Sequence, residues 1–102
     1  MNKYRNIKTV IDGISFDSKK EASQYCELKM RVKCGDLEKF DMQVPFPIIV
    51  EGIKICTYYA DFVTYSKEGV REVLDVKGVK TPVYQLKKKL IKAIYKIDII
   101  EC

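Results

Sequence analysis

Residues 53–77 read IKICTYYADFVTYSKEGVREVLDVK, and this stretch decides the fold. Its two ends, residues 53–65 and residues 70–77, are rich in β-branched and aromatic side chains, which is typical of strands. The polar segment from Ser66 to Gly69 between them predicts a turn. We therefore expect two antiparallel strands joined as a hairpin.

Residues typical of turns and helix caps predict the secondary structure of the rest of the chain. Asp12-Gly13 between apolar runs indicates a small β-hairpin. Ser18 and Gly35 have the properties of the start and stop of a helix, and Thr81-Pro82 begins a second one. In chain order the predicted elements are a hairpin over 9–16, a helix over 19–33, strands over 37–50, 53–65 and 70–77, a helix over 82–95 and a strand over 96–101.

This order is α-β-β-β-α-β behind an N-terminal β-hairpin, which predicts an α/β (α+β) fold with a mixed sheet flanked by helices. The length of 102 residues predicts a single domain over residues 1–102. The helices should bury one apolar stripe each. The stripe of the first helix is expected at Ala22, Tyr25, Cys26, Leu28 and Val32, and that of the second at Val83, Leu86, Leu90, Ala93 and Ile94.

Composition limits the function classes. The chain carries 19 Lys and Arg against 14 Asp and Glu, and the net charge of +5 favours a polyanionic partner such as nucleic acid. The absence of His excludes His-dependent bases, Cys–His dyads and Ser-His-Asp triads. The four cysteines form no C-x-x-C pair, which argues against a zinc site and favours free thiols.

Location and assembly follow from the same composition. No apolar stretch is long enough to cross a bilayer, and the first residues lack an apolar signal region, so a cytoplasmic protein with no membrane partner is expected. A domain of this size has a modest stability margin, and burying surface between two copies would add to it. We therefore expect a homodimer.

The most informative polar residues are the acids of the hairpin. Asp75 and Lys77 lie two apart on a strand, so their side chains should project together, with Val76 on the buried side. Asp61 interrupts an otherwise apolar and aromatic strand, where an unpaired charge costs several kcal/mol. If the two strands pair, Asp61 lies near Asp75, and a divalent cation is the usual way to hold both ionised.

A third acid, Glu21, falls in the first turn of the first helix and could face the same place. A capping box with Ser18 explains both residues completely, so spacing alone favours a cap. Gln43 and Gln85 are either polar support for this site or ordinary surface residues.

Taken together, Glu21 on the first helix, Asp61 on one strand and Asp75-x-Lys77 on the next resemble the PD-(D/E)XK nuclease superfamily. The stretches FDSKKEASQY, YYADF, VLDVKG and TPVYQLKKKL are similar to a small phage-encoded family of Holliday junction resolvase-like endonucleases, over nearly the whole chain. One position departs from the usual pattern, since Ala60 replaces a common Pro. The second acid is Asp75 rather than Glu, which the motif allows.

The resemblance implies a restriction-endonuclease-like core and metal-dependent cleavage of DNA, including branched DNA. Asp61, Asp75 and the carbonyl of Val76 would bind Mg²⁺, with Mn²⁺ as a substitute, and Glu21 would complete the site directly or through water. Lys77 would orient the attacking water. The expected DNA contacts are Lys87, Lys88, Tyr84, Lys80, Lys3 and Arg5.

Two other functions stay open on sequence alone. One is a nucleic-acid-binding protein that has this fold but does no chemistry. The other is a structural or partner-binding protein whose acids form internal salt bridges with its many Lys residues.

Overall fold

The structure, a computed structural model, describes residues 8–76 and 80–102. Its elements are β1 (Thr9–Ile11), β2 (Ile14–Phe16), α1 (Lys19–Lys33), β3 (Lys39–Val50), β4 (Ile53–Tyr65), β5 (Arg71–Asp75), α2 (Pro82–Tyr95) and β6 (Ile100–Glu101). The predicted order of elements is confirmed, and the mixed α+β class with it. Neither helix in the described part of the chain is long and apolar enough to cross a membrane.

The strands form two sheets. β1 and β2 pair as the predicted hairpin, and the other four lie in the order β3-β4-β5-β6. β3, β4 and β5 are antiparallel neighbours, whereas β6 runs parallel to β5, so the larger sheet is mixed as predicted. The return path through α2 is what allows β6 to run in the same direction as β5.

Both predicted helix starts are confirmed. Ser18 Oγ accepts a hydrogen bond of 3.0 Å from the backbone N–H of Glu21, and Thr81 Oγ1 accepts one of 3.1 Å from the N–H of Tyr84. Gly35 follows α1 with φ of 84°, a left-handed conformation that glycine adopts without strain. Local capping chemistry therefore fixes both helix starts.

Two strand ends differ from the prediction. β6 covers only two residues instead of the expected 96–101, because Lys96 ends α2 in a left-handed conformation with φ of 61°. β5 ends at Asp75, and Lys77 lies outside the described residues.

The faces of the larger sheet support two separate apolar cores. The α1-side core joins α1 and the small hairpin to the sheet through Phe16, Ala22, Tyr25, Leu28, Leu37, Phe62 and Leu74. The α2-side core contains Phe46, Ile48, Tyr58, Ala60, Val63, Val73, Tyr84, Ile91 and Ile99. Each helix thus covers its own face of the sheet.

Of the predicted buried stripe of α2, only Leu90 packs against the α2-side core, and the rest of the prediction is wrong. Val83 and Leu86 are 63% and 59% exposed, and the residues that α2 buries are Tyr84 and Ile91. The spacing of aliphatic residues predicted the wrong face, because the ring of Tyr84 supplies buried apolar area while its hydroxyl keeps a hydrogen bond to Glu101. On α1, Cys26 is exposed rather than packed, whereas Ala22, Tyr25 and Leu28 are buried as expected.

The side chains of β3 and β4 switch to the opposite face of the sheet at the same point along the two paired strands. Along a regular strand, residues two apart share a face, yet Ala60 belongs to the α2-side core and Phe62 to the α1-side core. On β3, Met42 and Val44 divide in the same way, and Gln43 between them has φ of 51°. The change of face leaves Asp61 between the two cores.

Candidate active site

Asp61 connects three strands of the larger sheet. Its Oδ2 accepts a hydrogen bond of 2.9 Å from the backbone N–H of Val76, directly after β5. Its Oδ1 accepts one of 3.2 Å from Gln43 Nε2 on β3. Gln43 is therefore polar support for this carboxylate, the first of the two alternatives that its sequence position left open.

Glu21 reaches Asp61 from the first turn of α1. Burial, the charge of Asp61 and hydrogen bonding with Asp61 together raise the pKa of Glu21 to about 7, and a hydrogen bond from the Asp17 backbone opposes the rise. Glu21 therefore takes part in both arrangements that its sequence position suggested. Its backbone N–H belongs to the helix cap, and its side chain lies beside Asp61.

Asp75 lies deeper than the other two acids. Its side chain is 1% exposed, and its Oδ2 accepts a hydrogen bond of 2.6 Å from the hydroxyl of Tyr58. Burial raises the pKa of Tyr58, and the hydrogen bond to Asp75 adds to the rise, so the phenol stays a donor. The register of β4 against β5 places Tyr58 beside Asp75.

Asp61 and Asp75 both lie at the end of the pairing between β4 and β5. Phe62 and Leu74 are the last paired residues before Asp61 and Asp75, so the acids follow directly where the ladder stops. The charges of both acids also contribute to the raised pKa of Tyr58, although burial contributes most. The paired strands that the sequence predicted therefore bring Asp61 and the Asp75–Val76 segment together.

A cavity opens onto part of this region. It has a volume of about 250 Å³, and its walls include Asp17, Glu21, Gln43 and Asp61. Glu21 and Asp61 are thus accessible to a small ligand, whereas buried Asp75 does not line this cavity.

The oxygen donors partly fit a divalent cation. Glu21 and Asp61 are neighbouring carboxyls whose charges act on each other, and carboxylates and carbonyls are the preferred protein ligands of Mg²⁺. Within residues 8–76 and 80–102, however, no group of three or more acids or thiols is close enough to hold a metal ion. Lys77 lies outside these residues.

The expected DNA contacts divide into three groups. Lys80 and Lys88 form ion pairs with Glu101, at 3.0 and 3.3 Å. Lys87 is half-buried and lines a groove of about 300 Å³. Lys3 and Arg5 lie outside the described residues.

Tyr84 does not match its expected role as a surface contact for DNA. It is 5% exposed, and its hydroxyl donates a hydrogen bond of 2.8 Å to Glu101. This bond, followed by that of Lys80, lowers the pKa of Glu101 to about 2, so the carboxylate stays ionised and holds the lysines. The predicted contact by Tyr84 is therefore corrected, because the ring belongs to the α2-side core.

One protein family, described as "Protein of unknown function (DUF1064)", has a sequence model that matches residues 1–99. The chain belongs to this family. No curated protein and no solved structure is significantly similar to it.

Proposed function

We propose that this DUF1064 protein is a divalent-metal-dependent endonuclease that hydrolyses phosphodiester bonds in DNA, built on a restriction-endonuclease-like core. The observation that carries the proposal is the contact path from Glu21 through Asp61 to Val76, which joins α1, β4 and the end of β5. The PD-(D/E)XK resemblance places its acids on these same three elements.

The acids of the site would act as metal ligands. Asp61, Asp75 and the Val76 carbonyl would hold Mg²⁺, or Mn²⁺ in its place, and Glu21 would complete the set directly or through water. When bound, the metal supplies a water that becomes a nucleophile near neutral pH, which replaces the missing His.

Two further side chains would support the reaction. Lys77, two positions after Asp75 in the sequence, would orient the attacking water and balance charge that develops on the phosphate. Tyr58 is a positioning residue, because its hydrogen bond to Asp75 fixes the orientation of that carboxylate.

The substrate assignment rests on charge and on the resemblance. The net charge of +5 suits a polyanion, and lysines line the exposed side of α2. A preference for branched DNA, action as a homodimer, and a cytoplasmic, phage-encoded setting come from the resemblance and from chain size, and they are part of the proposal.

The test is cleavage of labelled duplex, nicked, flap and four-way DNA in the presence of Mg²⁺ or Mn²⁺. We expect metal-dependent cleavage that falls at least about 100-fold in Asp61→Asn, Asp75→Asn and Lys77→Ala. Asp41→Asn is the matched control, because Asp41 is an exposed acid of β3 that lies near Lys39. Cleavage that persists in all three site variants would exclude the assignment.

A second function is favoured by one observation. The described residues contain no ready group of three metal ligands, as expected of a DNA-binding protein that has this fold without the chemistry. Such a protein would bind the same DNA panel with or without EDTA and would cleave none of it.

A further inference from the structure

β3 and β4 extend well beyond the strand that follows them. β5 pairs with β4 only from Phe62 to Tyr65, whereas β3 and β4 stay paired as far as Val50 and Ile53. Residues 44–60 therefore form a two-stranded arm, which is about 20 Å long at the usual rise of a strand.

The arm has one covered face and one open face. Phe46, Ile48 and Tyr58 are buried in the α2-side core. The other face, here called the arm face, consists of Pro45, Pro47, Ile49, Ile55, Thr57 and Tyr59, and all of these except Thr57 are exposed. Ile49 is 50% exposed, and Ile55 and Tyr59 are each 58% exposed. Apolar side chains that are exposed together in this way are typical of interaction sites.

The charge of the arm identifies the kind of partner. Residues 44–60 contain only two charged side chains, Glu51 and Lys54, and their net charge is zero in a chain of which 32% is charged. Depletion of charge with an exposed aromatic residue is typical of the centre of protein–protein interfaces. A phosphate backbone would require Lys or Arg, so nucleic acid does not fit this face.

The edge of the arm determines how a partner can dock. β3 is an edge strand of its sheet, and edge strands readily add a further strand. Pro45 and Pro47 lack the backbone N–H that such pairing needs, which blocks strand addition along this part of the edge. A partner is therefore expected to pack on the arm face rather than to add a strand at the edge of β3.

We propose that the arm face is a homodimer contact and packs on the arm face of a second copy around a two-fold axis. In a two-fold interface each contact occurs twice, so a surface with one acid and one base can match itself. Glu51 would meet Lys54 of the partner subunit, and Lys54 would meet Glu51 of the partner subunit. A second copy thus satisfies the charges of the arm without any other partner.

The area of the arm face determines the affinity that we expect between the two copies. A face about 20 Å long and 10 Å wide falls short of the roughly 800 Å² per partner in a standard interface. Exposed Val83 on α2 extends the apolar surface, since a groove of about 300 Å³ is lined by both Tyr59 and Val83. The contact is therefore expected to be of moderate affinity, with Kd on the order of micromolar.

The test is sedimentation velocity of the full chain without DNA and with EDTA, over a range of concentrations up to about 200 µM. We expect a species of twice the 11.9 kDa chain mass. Ile55→Glu and Tyr59→Glu should each raise the dissociation constant at least about tenfold, because they bring like charges together in the interface. Val70→Glu is the control, because Val70 is exposed to a similar extent but lies in the connection between β4 and β5, away from the arm.

A charge exchange gives a second, conservative test. Glu51→Lys alone should weaken association, and the double variant E51K/K54E should restore it. Circular dichroism of each variant checks that it is folded.

Three results would overturn the proposal. The first is a wild-type chain that stays monomeric over the whole range, and the second is a dimer that Ile55→Glu does not weaken. The third is a monomer in which Ile55→Glu lowers affinity for DNA, which would make the arm face a nucleic-acid contact. Since no DNA or metal enters the sedimentation measurement, its outcome is independent of whether the protein is a nuclease.

Discussion

The backbone N–H of Val76 donates a hydrogen bond of 2.9 Å to Asp61 Oδ2. This bond ties the middle of β4 to the end of β5 at the point where Asp75 precedes Val76. The same carboxylate contacts Glu21 on α1, so one side chain links three elements that are distant along the chain.

The hydrogen bond between Tyr58 and Asp75 gives the first prediction. Tyr58→Phe should destabilise the protein by about 1–3 kcal/mol, because a buried carboxylate loses a hydrogen-bond donor. Urea unfolding measures the change. Tyr59→Phe is the matched control, since the neighbouring tyrosine is exposed, and it should alter the free energy of unfolding by less than about 0.5 kcal/mol. Equal effects of the two substitutions would contradict a special role of Tyr58.

The raised pKa of Glu21 predicts a pH dependence in metal-free protein. Its pKa is about 7 in the folded chain against an ordinary value of 4.5, so between these pH values the folded state binds more protons. The free energy of unfolding should therefore be largest below pH 4.5 and fall as the pH rises to about 7, through this group. Because Glu21 is only half-buried, the loss should be on the order of 1 kcal/mol.

Urea unfolding in EDTA at a series of pH values measures this loss. Glu21→Gln should remove the slope between pH 4.5 and 7, whereas Glu27→Gln, an exposed position on the same helix, should keep it. A slope that persists unchanged in Glu21→Gln would show that another group causes it.

Gln43 combines a left-handed backbone with a contact to Asp61. A non-glycine residue in this conformation costs roughly 1 kcal/mol, so Gln43→Gly should be more stable than Gln43→Ala by about that amount. At Asp41, where φ is not positive, the order should reverse, with Gly less stable than Ala by about 0.5–1 kcal/mol. Thermal unfolding of the four variants gives both comparisons. If Gly and Ala ranked alike at the two positions, the backbone at Gln43 would not be strained.

Glu101 forms ion pairs with two of the lysines that are proposed DNA contacts. Its carboxylate pairs with Lys80 and Lys88, so Glu101→Gln should release two positive charges. If both then contact phosphate, the slope of log affinity against log salt should steepen by up to about 2. Fluorescence anisotropy with labelled DNA measures it, and Asp36→Asn, which affects the Arg31 pair on the other helix, is the control. Weaker binding by Glu101→Gln would mean that the lysines act only within the fold.

The sequence predicted the elements better than their orientations. Caps at Ser18 and Thr81 and a turn at Asp12-Gly13 are local chemistry, so the helices and the hairpin could be located from a few residues each. The buried face of α2 depends on its rotation against the sheet, which the exposed Val83 and Leu86 show that apolar pattern alone does not fix.

The candidate site was predicted in part for the same reason. Asp61 was identified because an acid interrupted an apolar strand, and its link to the end of β5 followed from pairing. The change of face at Gln43 and the contact of Tyr58 with Asp75 depend on a backbone conformation and a register that no spacing in the sequence specifies.

The proposed function requires Glu21, Asp61 and Asp75 to bind one divalent cation, and titration calorimetry with Mn²⁺ tests this requirement most directly. We predict a saturable heat for the wild-type chain that is lost in Asp61→Asn and retained in Asp41→Asn, with both variants folded. A wild-type chain that gives no heat, or an Asp61→Asn variant that binds Mn²⁺ as the wild type does, would contradict the proposed function.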